Sequence, residues 1–569
     1  MKIPYGQSNF KKVISQGFYY VDKTAYIRTL EDEGEYTVLL RPRRFGKSLF
    51  LSMLFYYYDV NHATEFDSLF GHLAIGQDPT PTHNKFQILK LDFSGIRIDN
   101  PDTIHNAFND SVGAGMESLL NRYHYPQSAI DHLWTLNTPE ARAQYFLNEV
   151  EKAGQTIYLL IDEYDHFANA LLADDLGHFK RIMGKGGFVR AFYEVLKTGT
   201  QQGTIDRIFI TGVTPIMLDS LTSGFNITEN ISGRAGMNKA IGFTRQETEN
   251  IVKPLATNCS LDFADMMQNL TRWYNGYTFS EDDPEPTLFN ADMVLYFARH
   301  FNQQRCQYPK QMLDENIASD YGKILAMFSI GDRDVNYQVL DQLITEGEVI
   351  AKQQRKFDFD KGFDRDDFIS LLYYMGFVAL AGDELSHQRF RIPNYVIKVL
   401  YFQYFKIEIE RKNNLAITLR DLEKSVVALA LHNDFELFRH EIERVLQILS
   451  NRDFMQMDEK HIKVLLLALL HQSEVYFVKS ESEINHKYPD IMLLERSPYA
   501  IKHEHLIELK YCKKSARKKD PKAWDDKLQE GIDQVKGYLQ LPDIKPLSKL
   551  SAWVVLTDGE EVVVEMVNL

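Results

Sequence analysis

The chain has 569 residues, of which 44% are hydrophobic and 25% charged, with a formal net charge of −15. Those proportions belong to a water-soluble globular protein, and the length exceeds what one core usually organises, so three or four units are expected. The acidic balance excludes indiscriminate coating of nucleic acid or of an anionic membrane, while leaving room for a local basic cleft.

At the N-terminus Met1-Lys2-Ile3-Pro4-Tyr5-Gly6 lacks the apolar stretch of a signal peptide. The densest apolar segment, Val464 to Leu470, is far too short to span a bilayer. Cys259, Cys306 and Cys512 are widely separated and make neither a zinc site nor a disulfide framework. A cytoplasmic protein with no membrane partner is expected.

The first strong element is the apolar run Tyr36-Thr37-Val38-Leu39-Leu40, which feeds into Arg41-Pro42-Arg43-Arg44-Phe45-Gly46-Lys47-Ser48. A strand, a tight loop and a helix start ending in Gly-Lys-Ser point backbone N–H groups and a lysine at phosphates, and the serine hydroxyl at Mg²⁺. Arg41 stands where the usual pattern has its first glycine, and Pro42 removes one N–H. Arg41, Arg43 and Arg44 are therefore expected to supply positive charge near a triphosphate.

Further strands are expected at Phe86–Phe93, Thr156–Ile161 and Arg207–Thr211, alternating with helical patterns as in an α/β domain with a parallel sheet. The run Ile157-Tyr158-Leu159-Leu160-Ile161 delivers Asp162, a metal-side aspartate, and then Glu163, a glutamate able to polarise water. An intervening strand plus that glutamate is the pattern of the additional-strand P-loop ATPases. ATP and Mg²⁺ are the expected cofactors: Lys47, with Gly46, Arg43 and Arg44, meets the phosphates, Ser48 and Asp162 hold Mg²⁺, and Glu163 orients the attacking water. Thr211 falls where such ATPases sense the γ-phosphate, and Asp165 either supports the site or caps the following helix. Neither Arg207 nor Arg234 stands out as an arginine finger; a neighbouring subunit would supply one in a homo-oligomer.

Thr244-Arg245-Gln246-Glu247 reads as a capping box opening a mostly helical stretch to about Tyr308, where a lid would sit. Residues 310 to 400 mix short helices with strands and accommodate a small winged-helix-like unit. Helical periodicity runs from about Thr418 to Leu470, and strands return at Val475–Ile484, Asp490–Leu494, His505–Lys510 and Ala552–Leu556. The expected organisation is an ATPase core at 1–242, a helical lid at 243–309, a winged-helix-like region at 310–403, and a helical linker with an α/β nuclease-like domain at 404–569.

In the last domain Tyr488-Pro489-Asp490 precedes Leu506-Ile507-Glu508-Leu509-Lys510 by a hairpin-length gap. Strand alternation puts Leu506, Glu508 and Lys510 on one face, within reach of Asp490 on the neighbouring strand. Asp490 and Glu508 would fix Mg²⁺ for phosphodiester hydrolysis, with Lys510 positioning water or stabilising the transition state. This P-D…E-x-K spacing is the signature of the PD-(D/E)xK nuclease superfamily, in which a helix glutamine, here Gln534 one turn before Tyr538, is often a further site residue. Glu481 and Glu483 share a side of the preceding strand. The tract Lys510 to Lys522 carries seven cations against Asp520 and would gather the phosphate backbone of DNA or RNA. Glu-Leu-Lys also occurs on solvated edge strands, and the basic run also fits a solvated loop; both readings stand at this point.

Gly17-Phe18-Tyr19-Tyr20-Val21-Asp22-Lys23-Thr24, the Arg41–Ser48 block, Ile210-Thr211-Gly212-Val213-Thr214-Pro215 and Trp273-Tyr274-Asn275-Gly276-Tyr277 together resemble the bacterial AAA-ATPase-like proteins with a C-terminal PD-(D/E)xK nuclease domain. The lost first glycine is that family's habit, while Lys487-Tyr488-Pro489-Asp490 replaces its usual Gly-Arg-x-Asp. The resemblance implies an ATP-dependent or ATP-gated nuclease, with a role in defence against foreign nucleic acid. The alternative is an ATP-binding switch or scaffold whose nuclease-like domain only binds a partner or nucleic acid.

Overall fold

Continuous apolar runs bounded by polar turns become the strands of a parallel sheet in the N-terminal part of this computed structural model. The structure describes residues 1–96, 101–184, 186–217, 225–324, 328, 330–357, 362–413, 419–450, 458–480, 489–542, 544 and 547–568. The chain divides into one unit of residues 1–300, 313–339 and 350–394, and a second of 301–312, 340–349 and 395–569.

In the first unit β1 (Tyr36–Leu40), β2 (Gln87–Asp92), β3 (Ile157–Asp162), β4 (Ile205–Gly212) and β5 (Glu229–Asn230) form a sheet in the order β2-β3-β4-β1-β5. Every pairing is parallel. The four longer strands match the expected ones; β5, with both residues exposed, has no apolar signal. All six residues of β3 are buried, as a central parallel strand requires. The register sets Leu39 beside Thr211 and Asp92 beside Asp162, so the carboxyl ends of the strands share one edge. In open parallel sheets that edge is where ligands bind.

The capping box is realised: Thr244 Oγ1 accepts from the Glu247 N–H and Glu247 accepts from the Thr244 N–H. Helices Arg245–Asn258, Phe263–Tyr274 and Ala291–His300 follow. Between the last two lies an antiparallel ribbon, β6 (Tyr277–Thr278) with β7 (Thr287–Leu288), within the stretch expected to be mostly helical. Gly276, at φ +94°, opens it; a Cβ there would lie 2.0 Å from the Pro393 carbonyl oxygen, so only glycine fits. Helix Arg365–Met375 leads to the hairpin β9 (Ala379–Glu384) and β10 (His387–Arg391), the chain having passed through helix Arg333–Glu346 and β8 (Glu348–Ala351). Cys259 is disulfide-bonded, contrary to the expectation from the wide spacing of the cysteines.

Arg41 corrects the sequence reading. Rather than facing a phosphate, it is 1% exposed and turned inward. Its guanidinium donates to the carbonyls of Leu40 and Ser232 at 2.9 Å, Met237 at 3.1 Å and Asn238 at 3.3 Å. It also lies 4.2 Å over the Phe279 ring. Burial pulls it down to about 10. Phe45, at the other end of the same loop, meets Tyr277 and Phe279 edge-on at 4.8 and 5.4 Å. The loop is thus anchored by its own side chains.

In the second unit β11 (Tyr476–Ser480), β12 (Ile491–Glu495), β13 (Glu504–Tyr511), β14 (Leu550–Thr557) and β15 (Val562–Val567) form a sheet in that order. β13 pairs antiparallel with β12 and parallel with β14, so it is central rather than an edge, and residues Glu504 to Lys510 are all buried. Helix Lys522–Tyr538 lies over it, its Val535 packed with Met492, Leu506, Ala552 and Val554. Glu481 and Glu483 lie outside the described residues. No helix among the described residues is long and apolar enough to cross a membrane.

Arg41→Met removes the four carbonyl contacts while keeping much of the volume. We expect it to lower unfolding free energy by about 2–4 kcal/mol, since the carbonyls stay buried without their donor. Denaturant unfolding of the full chain measures this, and a loss below roughly 0.5 kcal/mol would contradict the anchoring role.

Candidate functional site

Two clusters of polar side chains stand out, one in each unit. In the first, Gly46 at φ +106° turns the chain from β1 into helix Lys47–Tyr58. Lys47 is buried at that helix's first position, its Nζ donating to the carbonyls of Arg41 at 3.0 Å and Pro42 at 3.1 Å. Burial pulls its pKa down, opposed by the charges of Glu163, Asp162 and Asp165. A cavity of about 430 Å³ opens here, its lining including Arg43, Arg44, Gly46, Lys47, Ser48, Glu163 and His166 as well as Tyr19, Tyr20, Ile241, Phe243 and Leu295. Its volume and mixed lining suit a small ligand with both charged and apolar groups.

Asp162 ends β3 and is buried; its Oδ1 accepts from Thr211 Oγ1 at 2.6 Å. Burial raises its pKa, and hydrogen bonds from Thr211 and Ser48 oppose that rise. Neither Asp162 nor Thr211 lines the cavity: Thr211 holds Asp162 from behind. Glu163 follows at φ +49°, a left-handed conformation rare for a non-glycine residue, which swings its carboxylate to the cavity wall. There His166 Nδ1 lies 3.2 Å from it and 3.3 Å from Arg43. Burial would raise Glu163, but the hydrogen bond from His166 and the charges of Lys47, His166 and Arg43 outweigh it and hold the carboxyl at about 2. Arg44 lies 3.6 Å from Asp292.

Asp165 serves the fold: it accepts from the N–H groups of Val213 and Thr214, from Thr214 Oγ1 and from Asn169, closing the turn after β4. Arg207 and Arg234 do not line the cavity, and Arg234 pairs with Glu229 and Glu33. His166 escaped sequence reasoning, although its position three residues after Glu163 was a usable signal.

In the second unit Asp490, Glu508 and Lys510 converge. Asp490 Oδ2 accepts from the Leu509 N–H at 2.9 Å. Lys510 Nζ donates to Glu508 Oε1 at 2.8 Å and to the Leu509 carbonyl at 3.0 Å. Glu508 and Lys510 are each 4% exposed, so neither is a solvated charge. Glu508 Oε2 is buried with no hydrogen-bond partner. Burial and the Asp490 charge push Glu508 up to about 7 against the pull of Lys510. Burial also opposes the Lys510 charge, but Glu508, Glu459 and Asp490 surround it and keep its pKa raised. The burden of burial therefore falls on Glu508.

Helix Glu459–Leu470 adds two residues the sequence reading missed. Lys463 Nζ lies 3.1 Å from Asp490 Oδ1, and Glu459 lies 3.7 Å from Lys510 Nζ while accepting from the Tyr511 N–H. Gln534 is not brought in: it is exposed on helix Lys522–Tyr538. One turn before it, Gly531 lies against Lys510 and Val554, where a Cβ would come within 3.2 and 2.7 Å of their side chains. The basic tract is not a loop either. Lys514–Lys519 is helical, Lys514 pairs with Glu560, and Arg517 pairs with Asp558 and Glu561 and stacks 3.8 Å over Trp524. Lys513, Lys518, Lys519 and Lys522 remain exposed.

Comparison with known proteins agrees with this layout. Residues 4–222 match the family described as predicted AAA-ATPase, and residues 457–566 match the PD-(D/E)XK nuclease superfamily. A chain from Azotobacter chroococcum mcd 1, described as an uncharacterized protein in the vnfD 5' region, is 25% identical over 348 residues. The match covers 58% of this chain and 61% of that relative's length. The chain thus joins a predicted AAA-ATPase-like domain at its N-terminal end to a PD-(D/E)XK nuclease superfamily domain at its C-terminal end.

Proposed function

We propose that the chain is an ATP-dependent or ATP-gated, Mg²⁺-dependent nuclease acting on DNA or RNA. The observation that carries this reading is the convergence of Asp490, Glu508 and Lys510 around a buried carboxylate oxygen with no partner. A buried, unbonded Glu508 Oε2 is costly unless something polar or cationic meets it. A hard divalent cation fits, and Asp490 and Glu508 would hold it. Such an ion, when bound, lowers the pKa of water and offsets charge on a phosphodiester. Lys510, held by Glu508 and the Leu509 carbonyl, then faces the phosphate as a fixed positive charge.

The N-terminal site supports nucleotide binding in the same way. The order β2-β3-β4-β1-β5, with β4 between the Lys47 strand and the Asp162 strand, is that of an additional-strand P-loop ATPase. Lys47 and the Arg43 and Arg44 side chains would meet the phosphates, Ser48 and Asp162 would hold Mg²⁺ with the nucleotide, and Glu163 would orient water. The domain boundaries at 242, 309 and 403, with a lid and a winged-helix-like middle region, belong to this reading. Helix Arg333–Glu346, β8, helix Arg365–Met375 and the β9–β10 hairpin support the last of these.

One observation favours the alternative of an ATP-binding scaffold. Among the described residues no three acidic, histidine or cysteine side chains are grouped to hold a metal. Cleavage of labelled DNA and RNA, with and without ATP and Mg²⁺, decides between them. Asp490→Ala and Glu508→Ala are expected to reduce cleavage at least about 100-fold while leaving ATP turnover intact. Lys47→Ala is expected to abolish phosphate release from ATP. Absence of cleavage under every condition would leave the scaffold reading standing.

A second test needs no substrate. A carboxyl raised from 4.5 unfolded to about 7 folded stabilises the fold below pH 4.5, and that contribution is lost as pH rises through about 7. With chelator present, wild type should lose on the order of 2–3 kcal/mol relative to Glu508→Gln between pH 5 and 8. Added Mg²⁺ should restore it. Parallel melting curves for the two proteins across this range would show no burial strain at Glu508.

A further inference from the structure

The carboxylates of the C-terminal site are not alone. Among the described residues Glu459, Asp490 and Glu508 stand against the ammonium groups of Lys463 and Lys510, leaving one net negative charge when all are ionised. Lys527 also acts on Glu459, but it is paired with Glu530 at 2.7 Å. Lys463 is an unexpected member. It projects from helix Glu459–Leu470 one turn after Glu459 and lies 3.1 Å from Asp490 Oδ1, with the two side chains 17% and 12% exposed.

The two acids are occupied unequally. Asp490 has a cation on Oδ1 and the Leu509 N–H on Oδ2, whereas Glu508 has Lys510 on Oε1 and nothing on Oε2. Glu508 Oε2 and the remaining lone pairs of Asp490 are therefore the acceptors left for a cation. A second divalent ion on the far side of Asp490 would sit against the Lys463 ammonium. The charges point the same way. One divalent ion brings the cluster to one net positive charge, which a single phosphodiester neutralises, whereas two ions leave a large excess inside a buried site.

We propose that the C-terminal site takes a single divalent cation, on Asp490 and Glu508, and that the Lys463 ammonium holds the place of a second ion and contacts the phosphodiester there. This rests on the nuclease reading above and specifies its metal content. Lys463 is then a positive charge that the chain itself supplies at a fixed position.

The experiment counts Mn²⁺ bound to the full-length protein without nucleotide, by equilibrium dialysis, in wild type, Glu508→Gln, Lys463→Met and the double variant. Ions lost on introducing Glu508→Gln belong to this site, whatever else binds elsewhere. Wild type is expected to lose one ion on introducing Glu508→Gln, and Lys463→Met is expected to bind one ion more than wild type, because Asp490 then accepts an ion where the ammonium was. Lys463→Arg should keep the count at one. Two ions in wild type would overturn the inference and leave the nuclease reading standing. No ion lost on introducing Glu508→Gln would overturn both. No additional ion bound by Lys463→Met relative to wild type would remove the role of Lys463. Electron paramagnetic resonance of Mn²⁺-loaded wild type needs no variant: an uncoupled signal is expected, and a spin-coupled pair would overturn the proposal.

Discussion

A carboxylate and an ammonium buried side by side on the central strand of a sheet govern the C-terminal unit. Taking Glu508 and Lys510 out of water costs more than their mutual attraction usually returns, and an apolar pair of similar size would pack there more cheaply. The surrounding structure concentrates on that problem. The β12–β13 ladder runs to Ile491 and Ile507, and beyond it the Asp490 side chain takes over by accepting the Leu509 N–H. Lys510 Nζ in turn bridges Glu508 Oε1 and the Leu509 carbonyl, so the acid and the ammonium are fixed on their own strand. Gly531 lets helix Lys522–Tyr538 close over Lys510 without a Cβ in the way. What is left unsolved is one oxygen of Glu508, and that residue of cost is the clearest mark of a ligand.

The N-terminal site rests on backbone conformation instead. Left-handed φ values at Arg44, Gly46 and Glu163 shape the two turns that face each other across the cavity. Two of the three are non-glycine residues, and such conformations persist only where the surroundings over-determine them. Arg41 and Phe45 supply that constraint for one turn, through the carbonyls at 232–238 and the Tyr277 and Phe279 rings. The bond from the Tyr164 N–H to the Thr211 carbonyl, with Asp165 bridging to Val213 and Thr214, supplies it for the other. Lys47, meanwhile, finds only carbonyl partners, a weak match for a buried ammonium. An incoming anion improves on them.

Much of this was legible, and the reasons it stopped are physical. The long strands were legible because buried parallel strands are continuous apolar runs, and Glu508 and Lys510 were because two residues on one strand share a face. β5 is two exposed residues, and β6 and β7 are two residues each in a stretch whose neighbours read as helix, so none carries a period to detect. Lys463 reaches Asp490 across 27 residues and an intervening strand, and no spacing rule links a helix face to a strand end. Arg41 misled for a different reason. Arginines beside a Gly-Lys-Ser loop look alike in sequence, and only the packing against Phe279 shows that one of them faces inward. Lys514 and Arg517 misled similarly, because the acids that answer them lie beyond the following strand.

The two sites differ most in what they are before any ligand arrives. Glu163, held at about 2 by His166, Lys47 and Arg43 against the cost of its burial, is a carboxylate throughout the physiological range. A group that acidic is a poor acceptor for a proton from water, so under the proposed reading it acts by orienting water rather than by taking the proton early. Glu508, pushed up to about 7, is only partly ionised at neutral pH and becomes fully so when a cation meets it. The N-terminal carboxylate is therefore fully charged before any ligand arrives, whereas the C-terminal one is not. A change in pH near neutrality therefore alters the ionisation of Glu508 and leaves that of Glu163 unchanged.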